Sequence, residues 1–128
     1  MLNSSYYERK YCTLDRHAIL QASRTGDFEF LEWFKNSGYE FKYSEWAINL
    51  ACYYGNVQVL EWFKNSDYEF KYDRNAIYYA CMNGNFQVLE WLKNYCNNKK
   101  IIKISKSIYI KTIKFKTKNN YIKGYNKN

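Results

Sequence analysis

The sequence predicts an all-α solenoid of about three stacked helix-turn-helix repeats with a basic, poorly defined C-terminal tail, and three observations carry that prediction. Ala18-Ile19, Ala47-Ile48 and Ala76-Ile77 recur at intervals of 29 residues. Gly26, Gly55 and Gly84 keep the same spacing, as do Leu31, Leu60 and Leu89, then Glu32, Glu61 and Glu90, then Trp33, Trp62 and Trp91. The segment Leu31-Glu32-Trp33-Phe34-Lys35-Asn36-Ser37 returns unchanged as Leu60-Glu61-Trp62-Phe63-Lys64-Asn65-Ser66. Self-similarity at a fixed period marks a chain built of stacked units.

In chain order, residues 1–14 read as an N-terminal cap or partial repeat, residues 15–96 as the array (15–43, 44–72 and 73–96) and residues 97–128 as a Lys-rich tail. Asp15, Ser44 and Asp73 stand where a helix N-cap is wanted, because a short side-chain oxygen can accept from the open amides of a first turn. In the second unit Ala47, Ile48, Ala51 and Cys52 fall on one narrow face, and such small residues permit close helix approach. Gly26, Gly55 and Gly84 are expected to end these first helices in the left-handed conformation. A second, amphipathic helix follows from about Val57 to Ser66, with Val59, Leu60, Trp62 and Phe63 as its apolar set. Gly38-Tyr39-Glu40-Phe41-Lys42-Tyr43 and Asp67-Tyr68-Glu69-Phe70-Lys71-Tyr72 then alternate charged and aromatic residues, as short extended excursions anchored by Phe41 and Phe70.

A single unit of this size cannot enclose its own apolar face, so neighbours must stack. Burying one large ring contributes roughly 1.5 to 3 kcal/mol, so the repeated Trp and Phe are expected to supply most of the adhesion. No clearly polar capping repeat is visible at either end, which predicts marginal stability.

A length of 128 residues is one domain's worth. Proline is absent while aromatics make up 21% of the chain, so the composition is that of a packed protein and not of a flexible one. The first ten residues lack the apolar stretch of a signal peptide and no segment is apolar for long enough to span a bilayer, so an intracellular, cytoplasmic protein is expected. Cys12, Cys52, Cys81 and Cys96 show no C-x-x-C spacing and His17 is the only histidine, so neither a metal site nor any cofactor is expected. Residues 1–96 hold ten Lys and Arg against twelve Asp and Glu, whereas residues 97–128 hold ten Lys and no acid; the net charge of +8 therefore resides in the tail.

Ala51-Cys52-Tyr53-Tyr54-Gly55-Asn56-Val57-Gln58-Val59-Leu60-Glu61-Trp62-Phe63 resembles the second half of an ankyrin repeat: two small residues, a Gly with a polar neighbour, then a Val-rich helix. The resemblance covers about residues 13–96, and it is closest to the shortened, Trp-containing ankyrin repeats abundant in giant DNA viruses. The usual Thr-Pro-Leu-His opening, whose hydrogen bonding normally braces the loop, is replaced by His17-Ala18-Ile19-Leu20, Trp46-Ala47-Ile48-Asn49 and Asn75-Ala76-Ile77-Tyr78. The shortened period implies a shorter hairpin with less finger-like surface.

The resemblance implies a non-catalytic protein whose ligands lie on the face made by the first helices and on the loop tips. There the constant frame carries changing residues just before each glycine: Arg24, Tyr53 and Met82, then Thr25, Tyr54 and Asn83. A constant scaffold with varying exposed residues suits recognition of a protein partner, and the viral likeness implies a host one. No nucleophile with a base, carboxylate pair or phosphate-cradling loop has diagnostic spacing, so no enzyme is expected. Glu32, Glu61 and Glu90 travel with the scaffold and read as structural. The alternatives are a truncated fragment of a longer array, or nucleic-acid binding by the tail, where Lys103, Lys106, Lys111, Lys114 and Lys116 would neutralise phosphates.

Overall fold

A computed structural model describes residues 3–96. Among them seven helices follow one another: α1 Ser4–Lys10, α2 Arg16–Thr25, α3 Phe28–Lys35, α4 Glu45–Tyr54, α5 Val57–Asn65, α6 Arg74–Met82 and α7 Phe86–Cys96, with no strand. The first helices α2, α4 and α6 pack side by side in one layer, and the second helices α3, α5 and α7 form the other.

Asp15, Ser44 and Asp73 cap the first helices as expected, accepting from the backbone amides of His17, Trp46 and Asn75. Gly26 (φ 86°) and Gly55 (φ 76°) end α2 and α4 in the left-handed region. The left-handed φ favours glycine at both, and a Cβ would in addition crowd Asn56 Oδ1 or Asn85 Oδ1 at 3.2 Å. The third unit departs from the expectation. Asn83, at φ −98°, is the C-cap of α6, and Gly84 (φ 66°) makes the left-handed step one residue later.

The layers close over one core. Ala18, Ile19 and Ala22 of α2, Ala47, Ile48, Ala51 and Cys52 of α4, and Ala76, Ile77, Ala80 and Cys81 of α6 are all buried, so small side chains let the first helices approach closely. Phe30, Leu31 and Phe34, then Val59, Leu60 and Phe63, then Val88 and Leu92 fill the space beneath. Trp33, Trp62 and Trp91 are only half-buried. The expectation that Trp and Phe dominate the adhesion is therefore corrected: enclosed aliphatics and Phe form the seam, and the indoles border it.

The loops between units are braced by serine, tyrosine and lysine side chains. Ser37 and Ser66 hydroxyls donate to the carbonyls of Phe34 (2.7 Å) and Phe63 (2.6 Å) and accept from the amides of Tyr39 and Tyr68. The Tyr43 hydroxyl donates to the Glu69 carbonyl and accepts from the Lys71 amide at 3.1 Å, while Lys71 Nζ reaches back to the Tyr43 carbonyl at 3.1 Å. Phe41 and Phe70 pack against the core as anchors, joined by Tyr43 and Tyr72.

At the N-terminal end α1 turns Tyr7 (2% exposed) and Tyr11 (5%) inward, with ring centroids 4.7 Å from Trp33 and 4.2 Å from Phe30 respectively. Its other residues face solvent. A polar-backed helix thus shields the first unit, where the sequence shows no clearly polar capping repeat.

Candidate protein-binding face

Two hydrogen-bond ladders fix the register of the units and with it the face that α2, α4 and α6 present. Asn56 Nδ2 donates to the carbonyls of Ser23 (2.8 Å) and Arg24 (2.9 Å), and Asn85 Nδ2 does the same to Cys52 (2.7 Å) and Tyr53 (2.6 Å). Each asparagine thereby satisfies the open carbonyls at the C-terminal end of the preceding first helix. On the other layer the indole of Trp62 donates to Glu32 at 2.7 Å and that of Trp91 to Glu61 at 2.5 Å. Glu32 and Glu61 thus act as structural acceptors.

Of the residues expected on the binding face, Arg24, Thr25, Tyr54, Met82 and Asn83 are exposed, with the Arg24 guanidinium 5.5 Å from the Tyr54 ring centroid. Thr25, Tyr53 and Asn83 are also tied into the scaffold. Thr25 donates to the Gln21 carbonyl at 3.0 Å, Asn83 Nδ2 donates to the Tyr53 carbonyl at 2.8 Å, and Tyr53 is half-buried. Lys103, Lys106, Lys111, Lys114 and Lys116 lie outside the described residues.

The same face holds residues the sequence reading did not single out. A pocket of about 280 Å³ between α4 and α6 is lined by Trp46, Asn49, Leu50, Tyr53, Tyr54 and Tyr79. Tyr53 stands nearly perpendicular to both Tyr54 (4.9 Å, 74°) and Tyr79 (6.0 Å, 79°), so the rings form walls instead of closing into a stack. Trp46 is 52% exposed and Tyr78 47%. Asn49 is 2% exposed, and its Oδ1 has no hydrogen-bond partner among the described residues. An unmade bond of that kind costs about 1 to 3 kcal/mol. The signal in the sequence was the same one that marked Arg24: His17, Trp46 and Asn75, like Gln21, Leu50 and Tyr79, occupy matching positions with different side chains.

Burial pushes the Cys81 thiol up to about 11, the opposite of what a nucleophilic thiolate needs. His17 is exposed and sits 3.3 Å from Asp15 at the start of α2, in a capping arrangement. Among the described residues no His, Cys, Asp and Glu come together in a group able to hold a metal ion.

Residues 19–103 match the family model for ankyrin repeats, in three copies. The chain belongs to the ankyrin-repeat family. No curated protein and no solved structure matches it. Ankyrin repeats are in general protein-interaction modules and typically non-catalytic. Among the described residues of this ankyrin array no helix is long and apolar enough to cross a membrane.

Proposed function

We propose that this ankyrin array is a non-catalytic, cytoplasmic recognition module that grips a protein partner on the layer of first helices. The observation that carries this is the pocket between α4 and α6, on whose walls Trp46 and Tyr54 are exposed, with Tyr78 and Met82 exposed elsewhere on α6. Aromatic and Arg side chains dominate the energetics of protein interfaces, and here two exposed rings, Trp46 and Tyr54, stand on the walls of one pocket. Arg24, Tyr54 and Met82 are the anchors, while Thr25, Tyr53 and Asn83 hold the helix ends that position them. The 29-residue, tryptophan-bearing unit supports a viral protein meeting a host factor as the setting.

The test compares the wild type with a Trp46→Ala/Tyr54→Ala variant in quantitative capture from host-cell extract. The expected result is loss of a specific partner while the thermal transition stays in place. An unchanged set of captured proteins would remove the proposed face.

A further inference from the structure

The opposite layer carries a second site of distinct chemistry. A cleft of about 810 Å³ opens where α1 meets α3 and α5, lined by Tyr7, Phe28, Glu29, Glu32, Trp33, Asn36 and Trp62. Aromatic rings make most of its wall, two carboxylates line it, and no Lys or Arg does. Glu32 is engaged by Trp62 and by Asn36 at 3.3 Å, but Glu29 has no hydrogen bond or ion pair among the described residues.

Elsewhere on this molecule cations already stand over tyrosine rings. Lys10 stands over Tyr6 and Tyr11, Arg24 over Tyr54, Lys35 over Tyr68 and Lys71 over Tyr43, at 5.1 to 5.9 Å. Among the described residues none stands over Trp33 or Trp62, although indole is the best cation acceptor of the aromatic side chains. What sets Trp33 and Trp62 apart is that Glu29 and Glu32 line the same cleft with them. The field is felt locally, since the Tyr7 phenol is pushed up by burial first and then by Asp27 and Glu29.

The site is particular to the first unit. Glu29 is replaced by Gln58 and Gln87 at the matching positions of the other two, and Tyr7 comes from α1, outside the repeats. We propose that this cleft binds an alkylammonium or guanidinium head group supplied by a separate molecule, held by the Trp33 and Trp62 indoles and the Glu29 and Glu32 carboxylates. Its volume lies within the usual range for small-ligand pockets.

The probe is choline, titrated into the full chain while the indole N–H signals are followed by NMR. Saturable shifts are expected at Trp33 and Trp62 and none at Trp46 or Trp91. A dimethylbutanol of the same shape but without charge should bind about tenfold more weakly, because it lacks the cation–π attraction. Glu29→Gln should weaken choline about fivefold, the strength of an exposed ion pair. That substitution puts in place the residue type the other two units already carry, so it leaves the fold intact. Equal binding of charged and neutral probes, or choline affinity untouched by Glu29→Gln, would overturn the assignment. A full-length variant with Lys103, Lys106, Lys111, Lys114 and Lys116 all changed to Gln separates the sources. Unaltered choline affinity fits a separate molecule, whereas markedly tighter binding would show that the chain's own lysines compete for the cleft and would overturn that part of the proposal. None of these outcomes depends on the partner-binding face of α4 and α6.

Discussion

At the two junctions between repeats, Asn56 and Asn85 donate to carbonyls of the preceding unit; at the N-terminal junction the matching position is Asp27, which accepts instead. Lys10 Nζ and the Tyr11 hydroxyl both reach Asp27 Oδ2 at 2.7 Å. The difference follows from what each neighbour offers. A preceding repeat ends its first helix in unpaired carbonyls, which need a donor, whereas α1 brings an ammonium and a phenol, which need an acceptor. One position in the repeat thus reports whether the unit in front of it is another repeat or a different element.

Reversing that chemistry inside the array should have the largest effect. In Asn56→Asp a carboxylate would face the carbonyls of Ser23 and Arg24, losing two hydrogen bonds and leaving acceptors opposed. The expected loss is about 2 to 3 kcal/mol in urea denaturation followed by circular dichroism. In a linear array each junction contributes its own nearest-neighbour term. Asn85→Asp should therefore cost the same within about 0.5 kcal/mol, and a large inequality would show that the two junctions differ in more than position.

The reciprocal change, Asp27→Asn, breaks the ion pair with Lys10 and weakens the bond from Tyr11, an effect of about 1.5 kcal/mol for hydrogen bonds to a charged group. Its pH dependence is the sharper test. Burial pushes the Asp27 carboxyl up, but the bonds from Lys10, Tyr11 and the Phe30 amide outweigh it, so its pKa lies below the ordinary value. A depressed folded-state pKa adds stability that is fully present above the unfolded value, about 3.9, and lost as pH falls through the folded one. The gap in Tm between wild type and Asp27→Asn should hold steady near neutrality and narrow below about pH 4. Tyr11 acts at the other limb: burial, then the bond to Asp27, raise its phenol. That part of the stability is lost as pH rises past the unfolded value of about 10. A gap independent of acid pH would mean that Asp27 is not held as a carboxylate by α1.

Much of this was legible in the residues because repetition makes it so. The N-caps Asp15, Ser44 and Asp73, the turns at Gly26 and Gly55, and the buried alanine face of α4 each follow from local geometry repeated at one spacing. What escaped the reading lies where repetition fails. Tyr7 and Tyr11 have no counterpart in the repeats, so nothing in their spacing distinguished inward rings from the outward Tyr6. The change from Asp27 to Asn56 and Asn85 was visible, but its meaning depends on groups distant in the chain. At the candidate face, variation pointed to Arg24, Thr25, Tyr53, Tyr54, Met82 and Asn83; all but the half-buried Tyr53 are exposed, side-chain hydrogen bonds set Thr25 and Asn83 apart, and Trp46 and Tyr79 came together only once α4 and α6 lay side by side. In the third unit Asn83 displaces the helix end by one residue, a shift that the regular spacing of Gly84 concealed.

The smallest effect concerns the other ladder. Trp62→Phe keeps a ring at the position, and the contact with Phe41, now 5.6 Å between centroids, survives in part, but the donor to Glu32 is lost. Glu32 is exposed, so water replaces the lost partner and no buried charge is stranded. The cost should be about 1 kcal/mol, the net worth of an ordinary hydrogen bond, well short of that expected for Asn56→Asp. The contrast ranks the layers, with the asparagine bonds near the first helices holding the units in register more strongly than the indole bonds near the second. A loss from Trp62→Phe equal to that from Asn56→Asp would reverse the ranking and make the Glu32 to Trp62 contact the principal clasp between the first two repeats.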